Sequence, residues 1–137
     1  MSAAMEHYKA GLSLFGKGDH VAAIGEYEQA LADKPDWEDA LHGLAMAQAQ
    51  AGRLDDAIAT GHRVAELNPN DPFAYTSLSM FYQRKSAAPG LPAEERDAFI
   101  AEAEKQQNKA RMASWKQELK ENPDAPPPEG GGMHVVQ

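Results

Sequence analysis

Apolar residues recur every three or four positions through most of this chain, and glycine and proline cut the runs at regular intervals. Leu41, Leu44, Ala45, Met46 and Ala49 form one stripe ahead of Gly52, and Leu54, Ala57, Ile58, Val64 and Leu67 form the next ahead of Pro69. Such spacing marks amphipathic helices. It predicts helices at about 3–16, 19–33, 37–50, 53–67 and 71–85. Asp19, Asp36 and Asp71 stand where an N-cap or first-turn acid would meet the free N–H groups of a helix start.

A shift of 34 residues lays the chain on itself, placing Gly18 on Gly52, Ala23-Ile24 on Ala57-Ile58, Pro35 on Pro69 and Leu44 on Leu78. Proline cannot continue a helix and forces the residue before it out of helical geometry, so each period reads as helix–turn–helix. The third unit departs from the pattern. Ser86-Ala87-Ala88-Pro89-Gly90-Leu91-Pro92 is a loop, and Asp97-Ala98-Phe99 matches Asp56-Ala57-Ile58 at 41 residues instead of 34, an insertion of 7. From Ala93 to about Glu121 nothing interrupts a helix, and Met112, Trp115 and Leu119 share one face of it. This helix is about twice the length its unit needs, so its second half is expected to cover the exposed end of the array, where end units are atypical.

These residues resemble the tetratricopeptide repeat over about residues 4–121. With Ala4, Glu38 and Pro72 as first positions, the small eighth position is Gly11, Ala45 and Ser79, and the seventh is Ala10, Leu44 and Leu78. The eleventh is Leu14, Gln48 and Tyr82, the twentieth Ala23 and Ala57, the twenty-seventh Ala30 and Val64, and the thirty-second Pro35 and Pro69. Gly61 stands where a large apolar residue such as Tyr27 is usual, and Gln48 is polar where one is expected, so the second unit is expected to be under-packed. The resemblance implies an all-α fold, a right-handed α-solenoid of three helix–turn–helix units with an extended C-terminal helix. The units are about 4–37, 38–71 and 72–121, the last with the insertion near 86–92; residues 1–121 form the domain and 122–137 a flexible Pro/Gly-rich tail.

The same resemblance implies a concave groove lined by the first helix of each unit and used to bind a peptide or protein. The positions that would face it are Met5, Tyr8, Leu12, Phe15 and Gly16, then Asp39, His42, Met46, Ala49 and Gln50, then Phe73, Thr76, Met80, Gln83 and Arg84. Most are apolar, and methionine adapts to irregular partners. A protein or peptide with an apolar or helical segment is therefore the expected partner. The groove of a self-associating chain could instead receive a helix of another copy or its tail, which ends Met133-His134-Val135-Val136-Gln137. A subset of the family holds the acidic C-terminal peptide of chaperones through Lys, Asn and Arg. Here the matching positions are Tyr8, Leu12, Gly43, Phe73 and Ser77, with no cation or asparagine to hold a carboxylate, so that partner is rejected.

Composition narrows the chemistry. Of 137 residues, 13 are Lys or Arg and 21 are Asp or Glu, for a net charge of −8, which argues against nucleic acid or an anionic membrane as main partner. There is no cysteine, which excludes disulfides and thiolate chemistry. His7, His20, His42, His62 and His134 have no metal-ligand spacing, and no nucleophile–base pair can be assembled. Gly16-Lys17-Gly18-Asp19 lacks the spacing and preceding strand of a phosphate loop. Neither enzyme activity, metal nor cofactor is expected. The start of the chain has no secretory pattern and no stretch reaches the roughly 20 apolar residues of a membrane span, so a cytoplasmic location is expected. Charge is uneven, however. Residues 105–120 carry Lys105, Lys109, Arg111, Lys116 and Lys120 against Glu118 alone, a local +4. Such a run is read either as a solvated helix face or as a dock for an acidic partner.

Overall fold

In the computed structural model the described residues are 2–128. Ser2 accepts the Met5 N–H at 3.2 Å and starts α1 (Ala3–Gly16), and Asp19 accepts the Ala22 N–H at 3.3 Å and starts α2 (His20–Asp33). Then follow α3 (Glu38–Gln50), α4 (Leu54–Leu67), α5 (Pro72–Ser86) and α6 (Ala93–Glu121), with no strand among the described residues. Every helix end falls within about one residue of the sequence expectation. At α3 the cap differs. The N-cap is Trp37, without a side-chain bond, while Asp36 forms an ion pair with Arg63 of α4. This pair is exposed at both ends, where such contacts are worth little.

The 34-residue period is written into the turns. Asp19 N–H donates to the Leu14 carbonyl at 2.9 Å and Arg53 N–H to the Gln48 carbonyl at 2.8 Å. Gly18 and Gly52 sit between these bonds with φ of 85° and 84°, the left-handed region that glycine enters without strain.

The chain forms two compact units, Met1–Leu67 and Asn68–Gln137. In the first, α2 packs on α1 and α3, α4 packs on α3, and α1 also meets α3. The core is Ala23, Ile24, Tyr27, Leu44 and Ala47, with Tyr8, Leu14, Phe15 and Leu31 closing over it. Tyr27 is the largest fully buried side chain there. Its ring reaches the backbones of Gly11 in α1 and Gly43 in α3, where an added Cβ would stand 2.7 and 2.6 Å from ring atoms. Gln48, expected to leave a gap, is buried, and its Oε1 accepts a bond from Thr60 Oγ1 of α4 at 2.8 Å. A polar pair therefore occupies the place of an apolar contact, and the desolvated amide is satisfied.

In the second unit α5 lies against α6. Asp71 accepts the Phe73 N–H at 3.0 Å, and Pro72 takes the first helical position, where its missing N–H costs nothing. Ala74, Leu78 and Phe81 of α5 are buried, as are Ala103, Gln106, Ala110 and Ala113 of α6, whose three alanines let the helices approach closely. The pairing of α6 differs from the sequence alignment. Ala98, aligned with the fully buried Ala57, is exposed like all of 93–98, and inward-facing residues begin at Phe99 and Ala103. The overhang is thus at the start of the helix. Its second half packs on the beginning of α5, down to Gln117, whose Nε2 donates to the Asn70 carbonyl at 3.0 Å.

Residues 122–128 contain no regular structure, in keeping with their prolines, yet Ala125 is only 5% exposed. The indole N–H of Trp115 donates to its carbonyl at 3.0 Å, turning the chain back against α6. The terminal Met133-His134-Val135-Val136 cluster lies outside the described residues.

Candidate functional site

The residues singled out for a groove are carried by first helices, α1 and α3 in one unit and α5 in the other. On α1, Leu12 is 49% exposed, while Met5 and Tyr8 are half-buried. On α3, His42 and Met46 are half-buried, Asp39 and Gln50 exposed and Ala49 buried. The contact between α1 and α3 brings Tyr8 and Asp39 together. Burial, and then the Asp39 charge, push the Tyr8 phenol above its ordinary 10.0. The Tyr8 ring also lies 4.7 Å from that of Trp37 and 6.0 Å from that of Tyr27, both tilted, so it forms a rigid aromatic edge to this face. Lys34 Nζ stands over the other aromatic, 4.9 Å from the Trp37 ring.

Phe15 and Gly16 contribute differently. The Phe15 ring packs edge-on to His20 at 4.9 Å, at the α1–α2 turn, and leans on the core. Gly16 is exposed beside it.

On α5, Phe73 is 55% exposed, Thr76 and Gln83 are exposed, and Met80 and Arg84 are half-buried. Thr76 Oγ1 donates back to the Pro72 carbonyl at 3.0 Å and Gln83 Nε2 to Ser79 Oγ at 3.2 Å. These residues share two shallow clefts with α6. One, of about 310 Å³, sets Gln83 against Ile100, Gln107 and Arg111; the other, of about 340 Å³, sets Thr76 against Trp115, Glu118, Pro126 and Pro128. Sequence reasoning did not place Ile100, Arg111 or the two prolines at this surface. The stripe through Trp115 was the available signal, but its partner is a backbone carbonyl, which no residue type announces.

A third and larger cleft, of about 710 Å³, lies between α6 and the Pro69–Tyr75 corner and includes Lys105, Lys109, Met112 and Lys116. Among the described residues no three acidic, histidine or cysteine side chains gather as a metal site, and His7 Nδ1 is paired with Glu26 Oε1 at 2.9 Å. No helix among them is long and apolar enough to cross a membrane.

Comparison with known proteins agrees with the helical units. Residues 14–79 match the family model described as tetratricopeptide repeat. Over 81 residues the chain is 30% identical to photosystem I assembly protein Ycf3 of Synechococcus sp. (strain CC9605), an alignment covering 57% of this chain and 47% of that one. The chain thus spans about half the length of that relative. Its fold matches a thermophilic TPR protein of Thermus thermophilus with a TM-score of 0.72 and 23% identity, over 80% of this chain and 56% of the other. Helix pairs repeating at 34 residues, a family model matching residues 14–79 and a shared all-α fold lead to one statement: residues 14–79 of the chain carry tetratricopeptide repeats.

Proposed function

We propose that this chain is a non-catalytic interaction module that receives the apolar face of a helix or an apolar peptide on its first-helix surfaces. Proteins of this family generally mediate protein–protein interaction or assembly on a non-catalytic scaffold. The observation that carries the reading is the exposure of Leu12 and Phe73, large apolar side chains at positions where the family binds ligands. A water-exposed Leu or Phe gains about 1.5–3 kcal/mol on full burial, before ordering costs. Met5 on α1 and Met46 on α3 add adaptable side chains, and Tyr8 supplies a fixed edge.

The Ycf3 relative is named an assembly protein, which supports holding protein partners for assembly as the role. The experiment is affinity capture from the native source with the wild type, Leu12→Asp and Met46→Asp. Both variants are expected to lose the partner while circular dichroism shows unchanged helicity. Undiminished capture by both would overturn the reading. Light scattering separates the other reading, self-assembly through the same face: a mass that rises with concentration, and falls to the monomer in Leu12→Asp, would favour it.

A further inference from the structure

We propose that the cleft between α6 and the Pro69–Tyr75 corner is a second docking site, for an extended acidic segment of a partner protein. None of the first-helix residues Phe73, Thr76, Met80, Gln83 or Arg84 lines it, so it is a different surface from the one described above. It holds about 710 Å³, the volume of a short peptide stretch rather than of a water or an ion.

The cations are in register. Lys105, Lys109 and Lys116 are spaced four and seven residues apart, which at about 100° per residue keeps them within about 40° of one another on the helix. At 1.5 Å per residue they cover about 16 Å of its length. All three are exposed, and among the described residues neither Lys105 nor Lys116 has a hydrogen-bond or ion-pair partner. Lys109 stands over the Tyr75 ring at 5.9 Å. Glu104 is the single acid of the lining. Three like charges along one cleft repel one another, and carboxylates arriving between them relieve that repulsion.

The floor is apolar and firm. Met112, Ala113 and Pro69 line it with the ring of Tyr75, whose hydroxyl donates to the Pro69 carbonyl at 2.8 Å and so fixes the ring as a wall. An extended peptide advances about 3.3 Å per residue. Lys105 to Lys109 then corresponds to about two peptide residues, and Lys109 to Lys116 to about three. The occupant that fits has carboxylates at its first, third and sixth residues, with apolar side chains between them to rest on Met112 and Tyr75. A nucleic-acid backbone fits less well: the chain carries −8 overall, and a duplex would bring its phosphates against that excess acid.

The test uses the full chain and a fluorescein-labelled peptide, Asp-Leu-Asp-Leu-Leu-Asp, titrated by anisotropy at low salt. Binding is expected to weaken about tenfold or more in Lys109→Glu/Lys116→Glu, to survive in the double Lys→Arg variant, and to fall as salt is raised. The Met112 methyl resonance should shift on titration in the wild type. Lys120→Glu, outside the lining, and Met46→Asp, on the other unit, should bind as the wild type does, which separates failure here from failure of the first-helix reading. No binding by the wild type, equal binding by the Lys109/Lys116 double variant, or tighter binding to a DNA duplex or to phosphatidylserine vesicles would overturn the proposal.

Discussion

A Cβ built on Gly43 would stand 2.6 Å from Cζ of Tyr27, closer than side-chain atoms pack. The aromatic ring of α2 is thereby seated against the bare backbone of α3, as it is against Gly11 of α1 at 2.7 Å. Ala is the better helix former by about 1 kcal/mol, yet at these two positions overpacking of a fully buried ring costs about 1–3 kcal/mol. Gly43→Ala and Gly11→Ala should each be net destabilising in urea unfolding. In a Tyr27→Leu background the same substitutions should become neutral or stabilising; a penalty that persists there would show that the ring is not its cause.

The buried Gln48–Thr60 pair makes an asymmetric prediction. Thr60→Val leaves the Gln48 amide buried without its donor and should cost about 1–3 kcal/mol. Replacing both, as Gln48→Leu with Thr60→Val, removes the unpaired group together with the bond and should cost much less than Thr60→Val alone. Urea midpoints of the two single variants and the double variant test this.

Alkaline pH should loosen the fold through its phenols. Burial is the first cause that raises the Tyr8, Tyr27 and Tyr82 hydroxyls above 10.0, with Asp39 adding to Tyr8 and Glu102 to Tyr82. The folded chain then holds these protons more tightly than the unfolded chain does. Stability is fully present below about pH 10 and falls as pH rises from there through the raised values. Urea midpoints measured from neutral to alkaline pH should show that decline, and Tyr8→Phe should make it shallower. An undiminished decline in the variant would assign the effect elsewhere.

Helix ends were legible because their signals are local. Asp19 and Asp71 cap, and Gly18 and Gly52 turn, all from residue type and position. The pairing of α6 was not. Alanines stand at 93, 98, 101, 103, 110 and 113, so more than one stripe of small residues can be drawn on this helix. The loop before it has no fixed length that would select one, and contact with α5 selects Ala103, Ala110 and Ala113. For the proposed site, register alone put Leu12 and Phe73 among the outward positions, and both side chains are exposed, whereas the lean of Phe15 toward His20 depends on a rotamer that register does not determine. The three lysines were visible as a charged run. The cleft wall opposite them, Pro69 and Tyr75, comes from about 30 or more residues earlier in the chain.

Trp115 should govern the segment that follows α6. Trp115→Phe removes the indole donor to the Ala125 carbonyl while keeping an aromatic ring, so residues 122–128 should lose their hold on the helix. Tryptic cleavage after Lys120 is expected to accelerate several-fold, and amide exchange to rise over the last turns of α6, with exchange in α1 to α4 unchanged. Equal cleavage rates in variant and wild type would show that the bond holds nothing in place.

The matched turns at Gly18 and Gly52 make the chain a string with interchangeable seams. A duplication of residues 18–51 would join Ala51 to Gly18, a junction with the backbone geometry already present between Ala51 and Gly52. Copy number can then change by a whole helix pair without the invention of a new joint, and each added pair would bring its own first helix and its own patch of partner-facing side chains. In such a lineage the length of the recognition surface is set by gene duplication and its chemistry by point substitution, so the two can vary independently.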